Sequence, residues 1–206
     1  MKKFLIALMM LASVHCSAAT IEEGRLSEKV IYPMVRVEDK VVEQKINTAI
    51  IAEVDRFVTG VYRNAQEINA EVADVRTSYK IGSNEAGNTV ILSFIITESN
   101  YYKGAAHPAT YMHTLNFNTA TGELMTIDYL TEVGEGKREG EVLRRLEKKL
   151  KAHCERKNLF LSRDALPLKK LPENFYWDEN LHVHFIFQHY EIAPYAMGII
   201  DVDIDE

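Results

Sequence analysis

Histidine and glutamate near two turn-rich segments could do acid–base chemistry. His107 lies in "NYYKGAAHP", and Glu191 lies in "HYEIAPYAMG" close to the end of the chain. An imidazole and a carboxylate form a general acid–base pair when they lie within hydrogen-bond reach of one reacting group. If the two loops meet, His107 and Glu191 could therefore act on a cell-envelope polymer such as peptidoglycan.

The same histidines raise the possibility of a zinc site. His182 and His184 are two residues apart on a predicted strand and share one face, and His107 could approach them from another segment. No cysteine or nearby acidic residue completes this set in the sequence. Strand histidines that face water are the alternative, so we predict no metal, no cofactor and no catalytic residue.

Other catalytic signatures are absent from the sequence. It contains no Gly-x-Ser-x-Gly nucleophile motif, no P-loop and no dinucleotide-binding fingerprint. The single cysteine after the N-terminal segment, Cys154, falls on the apolar stripe of a predicted helix. A buried thiol is therefore the expected state.

The tyrosine-rich loops suit recognition better than catalysis, because tyrosine offers a large contact area at low entropic cost. The predicted ligand-binding residues come from both loops. They are Tyr101, Tyr102, Lys103, Gly104, His107, Tyr190, Glu191 and Tyr195. A structural alternative exists for the second loop: Pro194 and Gly198 can lock a crossover between two strands without binding anything.

The N-terminal segment predicts export. A basic start, an apolar run of eleven residues and the small residues "SAA" form a signal peptide over 1–19, with cleavage near Ala19. This run is too short to cross a bilayer, and no later run is long enough. We therefore expect a periplasmic or extracellular protein without a stable membrane span.

Charge narrows the choice of partners. Residues 1–19 contain two lysines and no acidic residue, so their removal changes the net charge from -6 to -8. An acidic protein lacks the basic footprint that nucleic acids require. It suits a cationic protein partner, although acidity can also serve solubility alone.

The hydrophobic patterns that must position these loops predict an α+β fold, with antiparallel sheet and one long helix in each half. A helix after the N-cap Asp39 and a second helix over 137–157 carry apolar stripes. Predicted strands cover 29–37, 73–81, 89–98, 109–118, 123–127, 181–188 and 198–204, and "FYW" forms a hairpin with 181–188.

Two quoted stretches carry a resemblance to a known family. "FYWDENLHVHFIFQHYEIAPYAMG", and "YYKGAAHP" followed by "LNFNTATGELMTIDYL", resemble the extracytoplasmic domain of the anti-sigma-V factor RsiV. "KVIYPMV" with the long helix after it resembles a companion domain found beside the catalytic domain of PdaC-type peptidoglycan deacetylases. The resemblance covers roughly 27–204 and places the companion-like domain at 20–100 and the RsiV-like domain at 101–206.

The resemblance implies a binding module. The RsiV ectodomain binds lysozyme, and binding exposes a protease site that releases a sigma factor. The Thr-Phe-Asp-Asp-Gly stretch of the deacetylases is missing here, and no membrane helix for a sigma-factor regulator is evident. The expected function is therefore non-catalytic binding of lysozyme or another cell-wall-associated protein, and the alternatives are an envelope-polymer enzyme using His107 and Glu191 or a self-associating structural protein.

Overall fold

The N-terminal half consists of a hairpin, a long helix and a three-stranded sheet. The structure is a computed structural model and describes residues 18–84, 90–133 and 136–206. β1 (Thr20–Arg25) pairs antiparallel with β2 (Ile31–Arg36), and α1 follows over Lys40–Glu67. β3 (Val72–Asn84), β4 (Ile91–Tyr102) and β5 (Ala109–Asn118) form an antiparallel sheet with β4 in the centre.

The C-terminal half adds a second helix and a second sheet. Short elements lead into it: α2 (Ile127–Thr131), β6 (Glu132–Val133) and β7 (Gly136–Lys137). The long helix α3 spans Glu139–Lys157. β8 (Phe175–Trp177), β9 (Val183–Phe187) and β10 (Ile200–Asp203) then form an antiparallel sheet with β9 in the centre.

Each long helix buries one stripe against a sheet. Asp39 caps α1, because its Oδ1 accepts hydrogen bonds from the backbone N–H groups of Val41 at 2.8 Å and Val42 at 3.2 Å. The first core lies between α1, β2 and the helix-facing side of β3–β5. The second core lies between α3 and β8–β10, and it includes the buried Cys154.

The α+β fold class is confirmed, with antiparallel sheets and one long helix in each half. Two local predictions were wrong. β1 was not predicted, because most of "TIEEGR" is polar and exposed. The strand predicted over 123–127 is reduced to a single bridge between Leu124 and Phe117, since α2 begins at Ile127.

Two further predictions concern segments outside the described residues. The signal peptide over 1–19 falls almost wholly outside them, and so does the first residue of the strand predicted over 89–98. The boundary predicted between residues 100 and 101 falls within β4. In the part of the chain that the structure describes, no helix has the length and apolarity to cross a bilayer.

Buried polar groups connect the two sheets. The Ser93 hydroxyl on β4 donates to Asn116 Oδ1 on β5 at 2.7 Å, and Asn116 Nδ2 donates to the Phe175 carbonyl at 2.7 Å. The Trp177 N–H donates to Ser93 Oγ at 3.3 Å. Gly82 on β3 makes room for this contact, because a Cβ there would lie 2.4 Å from the Trp177 carbonyl oxygen. The two halves therefore meet through satisfied polar groups rather than through apolar packing alone.

Asn116→Ala should destabilise the protein by about 2–4 kcal/mol. The substitution leaves the Phe175 carbonyl and the Ser93 hydroxyl buried with fewer partners and creates a small cavity. Urea unfolding followed by tryptophan fluorescence measures the loss. Asn180→Ala is the matched control, because Asn180 is exposed, and it should change the free energy of unfolding by less than about 0.5 kcal/mol. Equal effects of the two substitutions would contradict the role of Asn116.

Candidate functional site

The two tyrosine-containing loops meet in a stack of rings. The Tyr195 ring lies between the imidazoles of His107 and His189, with centroid distances of 4.0 Å and 4.3 Å and interplanar angles of 25° and 24°. The Tyr195 hydroxyl donates to the Pro108 carbonyl at 3.3 Å. Tyr190 packs at the edge of this group, 5.6 Å from the Tyr195 ring, and is 67% exposed. We call His107, His189, Tyr190 and Tyr195 the aromatic stack.

Local backbone geometry holds the second loop in place. Tyr190 has a φ of 65° and Gly198 a φ of 76°, both in the left-handed region. Pro194 precedes a short 3₁₀ turn over Tyr195–Met197. The Glu191 carboxylate accepts a hydrogen bond from the Gln188 N–H at 2.8 Å and so closes its own turn. The loop that presents the stack is therefore internally braced.

The other predicted site residues have mainly structural contacts. The Tyr101 hydroxyl donates to the Ala105 carbonyl at 3.0 Å, and the Tyr102 hydroxyl donates to the Val61 carbonyl of α1 at 3.1 Å. Lys103 forms an exposed ion pair with Glu71 at 3.0 Å, and Gly104 turns the chain with a φ of 87°. These contacts brace the loop that carries His107.

The structure brings the His107 and Glu191 loops together through Tyr195, but each side chain bonds within its own segment. His107 Nδ1 lies 2.9 Å from the Pro108 carbonyl oxygen, while Glu191 binds the Gln188 N–H. A surface depression of about 430 Å³ lies elsewhere, between residues 26–30, Val58, Tyr62 and residues 72–75. The contacts of His107 and Glu191 thus favour loop bracing over acid–base chemistry.

A histidine–aspartate face covers the outer side of β8–β10. His182 Nδ1 lies 3.0 Å from Asp203, and His184 Nδ1 lies 2.9 Å from Asp201. The His184 ring stacks on Tyr176, whose hydroxyl donates to Asp201 at 2.8 Å. Asp178 lies 3.7 Å from His184 Nε2. His182 and His184 therefore share a face, as the strand spacing predicts, and aspartates rather than His107 surround them.

The aspartates set the titration of these histidines. The hydrogen bond to Asp203 raises the pKa of His182 above its usual value. Burial alone would lower the pKa of His184, but the hydrogen bond and charge of Asp201, with the charges of Asp203 and Asp178, raise it overall. Both imidazoles are therefore held more strongly in the protonated form than free histidine.

A third group was missed in the sequence. Three side chains that could bind a metal lie close together: Glu53 on α1, Glu98 on β4 and His113 on β5. Each offers one oxygen or ring nitrogen, and these atoms lie within 4.8 Å of one another. No other such group of three was found among the described residues. The alternation of side chains along β4 could have indicated this group, because Glu98 follows Phe94 and Ile96 on the side of the strand that faces α1. A glutamate at a core position requires a partner.

Comparison with known proteins defines the class of fold. Residues 126–205 match the model of a family described as "Protein of unknown function (DUF3298)". A crystal structure of a DUF3298 member from Bacteroides fragilis NCTC 9343 is 16% identical, with a TM-score of 0.57, and the match covers 92% of this chain and 91% of that one. A DUF3298 protein from Pseudomonas aeruginosa PAO1 is 15% identical, with a TM-score of 0.58, covering 90% and 87%.

These matches show that residues 126–205 are similar to the DUF3298 family and that the chain shares the fold of two DUF3298 proteins. The family match lies in the C-terminal part, and the shared fold extends over nearly all of the chain. No curated protein matches the sequence significantly. The finer resemblance to RsiV and to the PdaC companion domain stays a prediction.

Asp201→Asn should lower the pKa of His184, because it removes the closest negative charge. A histidine with a raised folded-state pKa stabilises the fold below its unfolded pKa, and this contribution is lost as the pH rises through the folded pKa. The loss of stability in the variant should therefore be larger at pH 5.5 than at pH 8.5. NMR titration of the imidazole and urea unfolding at both pH values measure the two effects. Asp164→Asn, at an exposed loop position, should leave both unchanged.

Proposed function

We propose that the protein is an exported, non-catalytic binding module whose recognition surface is the aromatic stack. The observation that carries this proposal is the Tyr195 ring held between His107 and His189, beside the exposed Tyr190. Rings that are already ordered lose little conformational entropy on binding, so they make efficient contact residues.

The proposed partner is a cationic, cell-wall-associated protein, with lysozyme as the first candidate. The resemblance to the RsiV ectodomain supports lysozyme in particular. The net charge of -8 after removal of residues 1–19 supports a cationic partner in general, because opposite fields accelerate encounter and favour complementary docking. Export is part of the proposal, since such a partner lies outside the cytoplasm.

Lysozyme should bind the chain that begins after Ala19, and Tyr190→Ser should weaken binding at least tenfold by removing an exposed ring of the stack. Isothermal titration calorimetry at low and at physiological salt measures both effects, and the affinity should fall with salt because opposite charges contribute. Tyr62→Ser is the matched control: Tyr62 is 53% exposed on α1 and lines the surface depression formed with residues 26–30 and 72–75.

Absence of heat at both salt concentrations would reject lysozyme as the partner. Equal weakening by Tyr190→Ser and Tyr62→Ser would reject the aromatic stack as the surface, even if lysozyme binds. The two parts of the proposal are therefore tested separately.

The enzyme alternative rests on His107 and Glu191, whose loops meet at Tyr195. The binding proposal predicts that purified protein releases no more soluble fragments or acetate from peptidoglycan than a buffer blank does. Activity above the blank that is lost in both His107→Ala and Glu191→Ala would overturn the non-catalytic assignment. Activity retained in both variants would indicate a contaminating enzyme.

A further inference from the structure

Glu98 occupies a core-facing strand position, where apolar side chains are usual and unpaired charged ones are rare. It lies on β4, is 1% exposed and faces α1 on the same side of the strand as Phe94 and Ile96. Its Oε1 atom has no hydrogen-bond partner among the described residues. A buried carboxylate oxygen without a donor is costly, because it loses water and gains nothing in return. The described residues therefore leave one oxygen of Glu98 without a partner, which is the state expected of an atom that binds a ligand.

The neighbours of Glu98 are metal-ligand types. His113 Nε2 lies 3.3 Å from Glu98 Oε2, and His113 Nδ1 lies 3.6 Å from Glu53 Oε1. All three residues offer atoms within 4.8 Å of one another. Bond lengths of about 2.0–2.2 Å in tetrahedral zinc sites separate ligand atoms by about 3.3–3.6 Å. Side-chain adjustments of about 1 Å would therefore bring one ring nitrogen and two carboxylate oxygens into this geometry.

We infer that Glu53, Glu98 and His113 form a binding site for a divalent transition-metal ion, with Zn²⁺ as the expected occupant. Imidazole and carboxylate ligands suit zinc, and three protein ligands leave one coordination position for water or another ligand. Two carboxylates balance the charge of the ion, which limits the cost of holding it in a largely buried place. The His113 side chain is 31% exposed and provides a route of entry.

Arg56 is the outer partner of this site. It donates to both oxygens of Glu53, with Nε 3.1 Å from Oε2. Each carboxylate oxygen has two lone pairs, so Glu53 can keep this contact while binding an ion, and Arg56 then orients the ligand from behind. The position on α1, one turn from Glu53, fits such a positioning role.

A shared proton is the competing explanation. Burial, with the charge of Glu53 nearby, raises the pKa of Glu98 to about 8, and burial lowers the pKa of His113. A protonated Glu98 beside a neutral His113 would satisfy one oxygen without any metal. A proton pair predicts no response to zinc, whereas a metal site predicts saturable binding and stabilisation, so the two explanations are separable.

The test uses the chain from residue 20 onward, stripped of metal with a chelator and titrated with ZnCl₂ in a calorimeter. One zinc ion per chain should bind, and a hundredfold excess over the dissociation constant should raise the melting temperature by at least about 3 °C. Glu98→Gln and His113→Asn should each weaken binding at least tenfold. Glu98→Gln keeps the shape and removes a charge that burial disfavours, so circular dichroism should show it folded.

The control is His184→Asn, which removes a histidine from the histidine–aspartate face and leaves the proposed site intact. It should bind zinc as tightly as the unmodified chain. Stronger loss in His184→Asn than in His113→Asn would move the ion to that face and overturn the inference. Absence of zinc heat and of any melting shift would overturn it as well, and would assign the shared proton to Glu98 and His113.

Discussion

This fold depends on side-chain amides that hydrogen-bond to strand edges in the place of a neighbouring strand. Asn47 of α1 accepts from the Val35 N–H and donates to the Val35 carbonyl, both at 2.8 Å. Gln188 does the same to Met112, at 3.0 Å and 2.6 Å. An amide has one donor and one acceptor side with nearly the spacing of a peptide unit, so it can satisfy a strand edge that would otherwise stay open.

These contacts explain how two sheets fit together without merging. The outer edge of β5 is satisfied by Gln188 and by Asn174, which accepts from the Thr114 N–H at 3.1 Å. β5 needs no further long strand, and β8–β10 can form their own layer with α3. Asn116 and Ser93 then satisfy the peptide groups of Phe175 and Trp177 at the contact between the layers. The family match begins at residue 126, yet the segment that it covers forms hydrogen bonds with β4 and β5, which precede it in the chain.

Regular apolar patterns made most of the architecture predictable. The helix stripes and strand alternation are local and strong, so α1, α3, β3, β4 and β5 follow from the sequence. β1 could not be predicted, because its stability comes from pairing with β2 and its side chains are mostly exposed. The short 123–127 segment was predicted as a strand, but only Leu124 pairs, with Phe117, before the chain enters α2 at Ile127.

The site was predictable in its residues but not in its arrangement. Tyr195 and His107 are far apart in the chain, and no local pattern says that one ring will lie on the other. His189 was assigned no binding role, although it completes the stack. Glu98 and His113 were assigned to no common site, because they lie on different strands, and only the packing of α1 brings Glu53 to them.

The backbone conformation of Tyr190 is unfavourable for a tyrosine. Its left-handed conformation suits glycine or asparagine, and a bulky residue there costs of order 1 kcal/mol of strain. The ring recovers little of this by burial, since most of it faces solvent. Stability alone would therefore favour a smaller residue at this corner. In the binding module proposed above, contacts between the Tyr190 ring and a partner would offset this cost, so the strain at residue 190 is consistent with a role outside the fold.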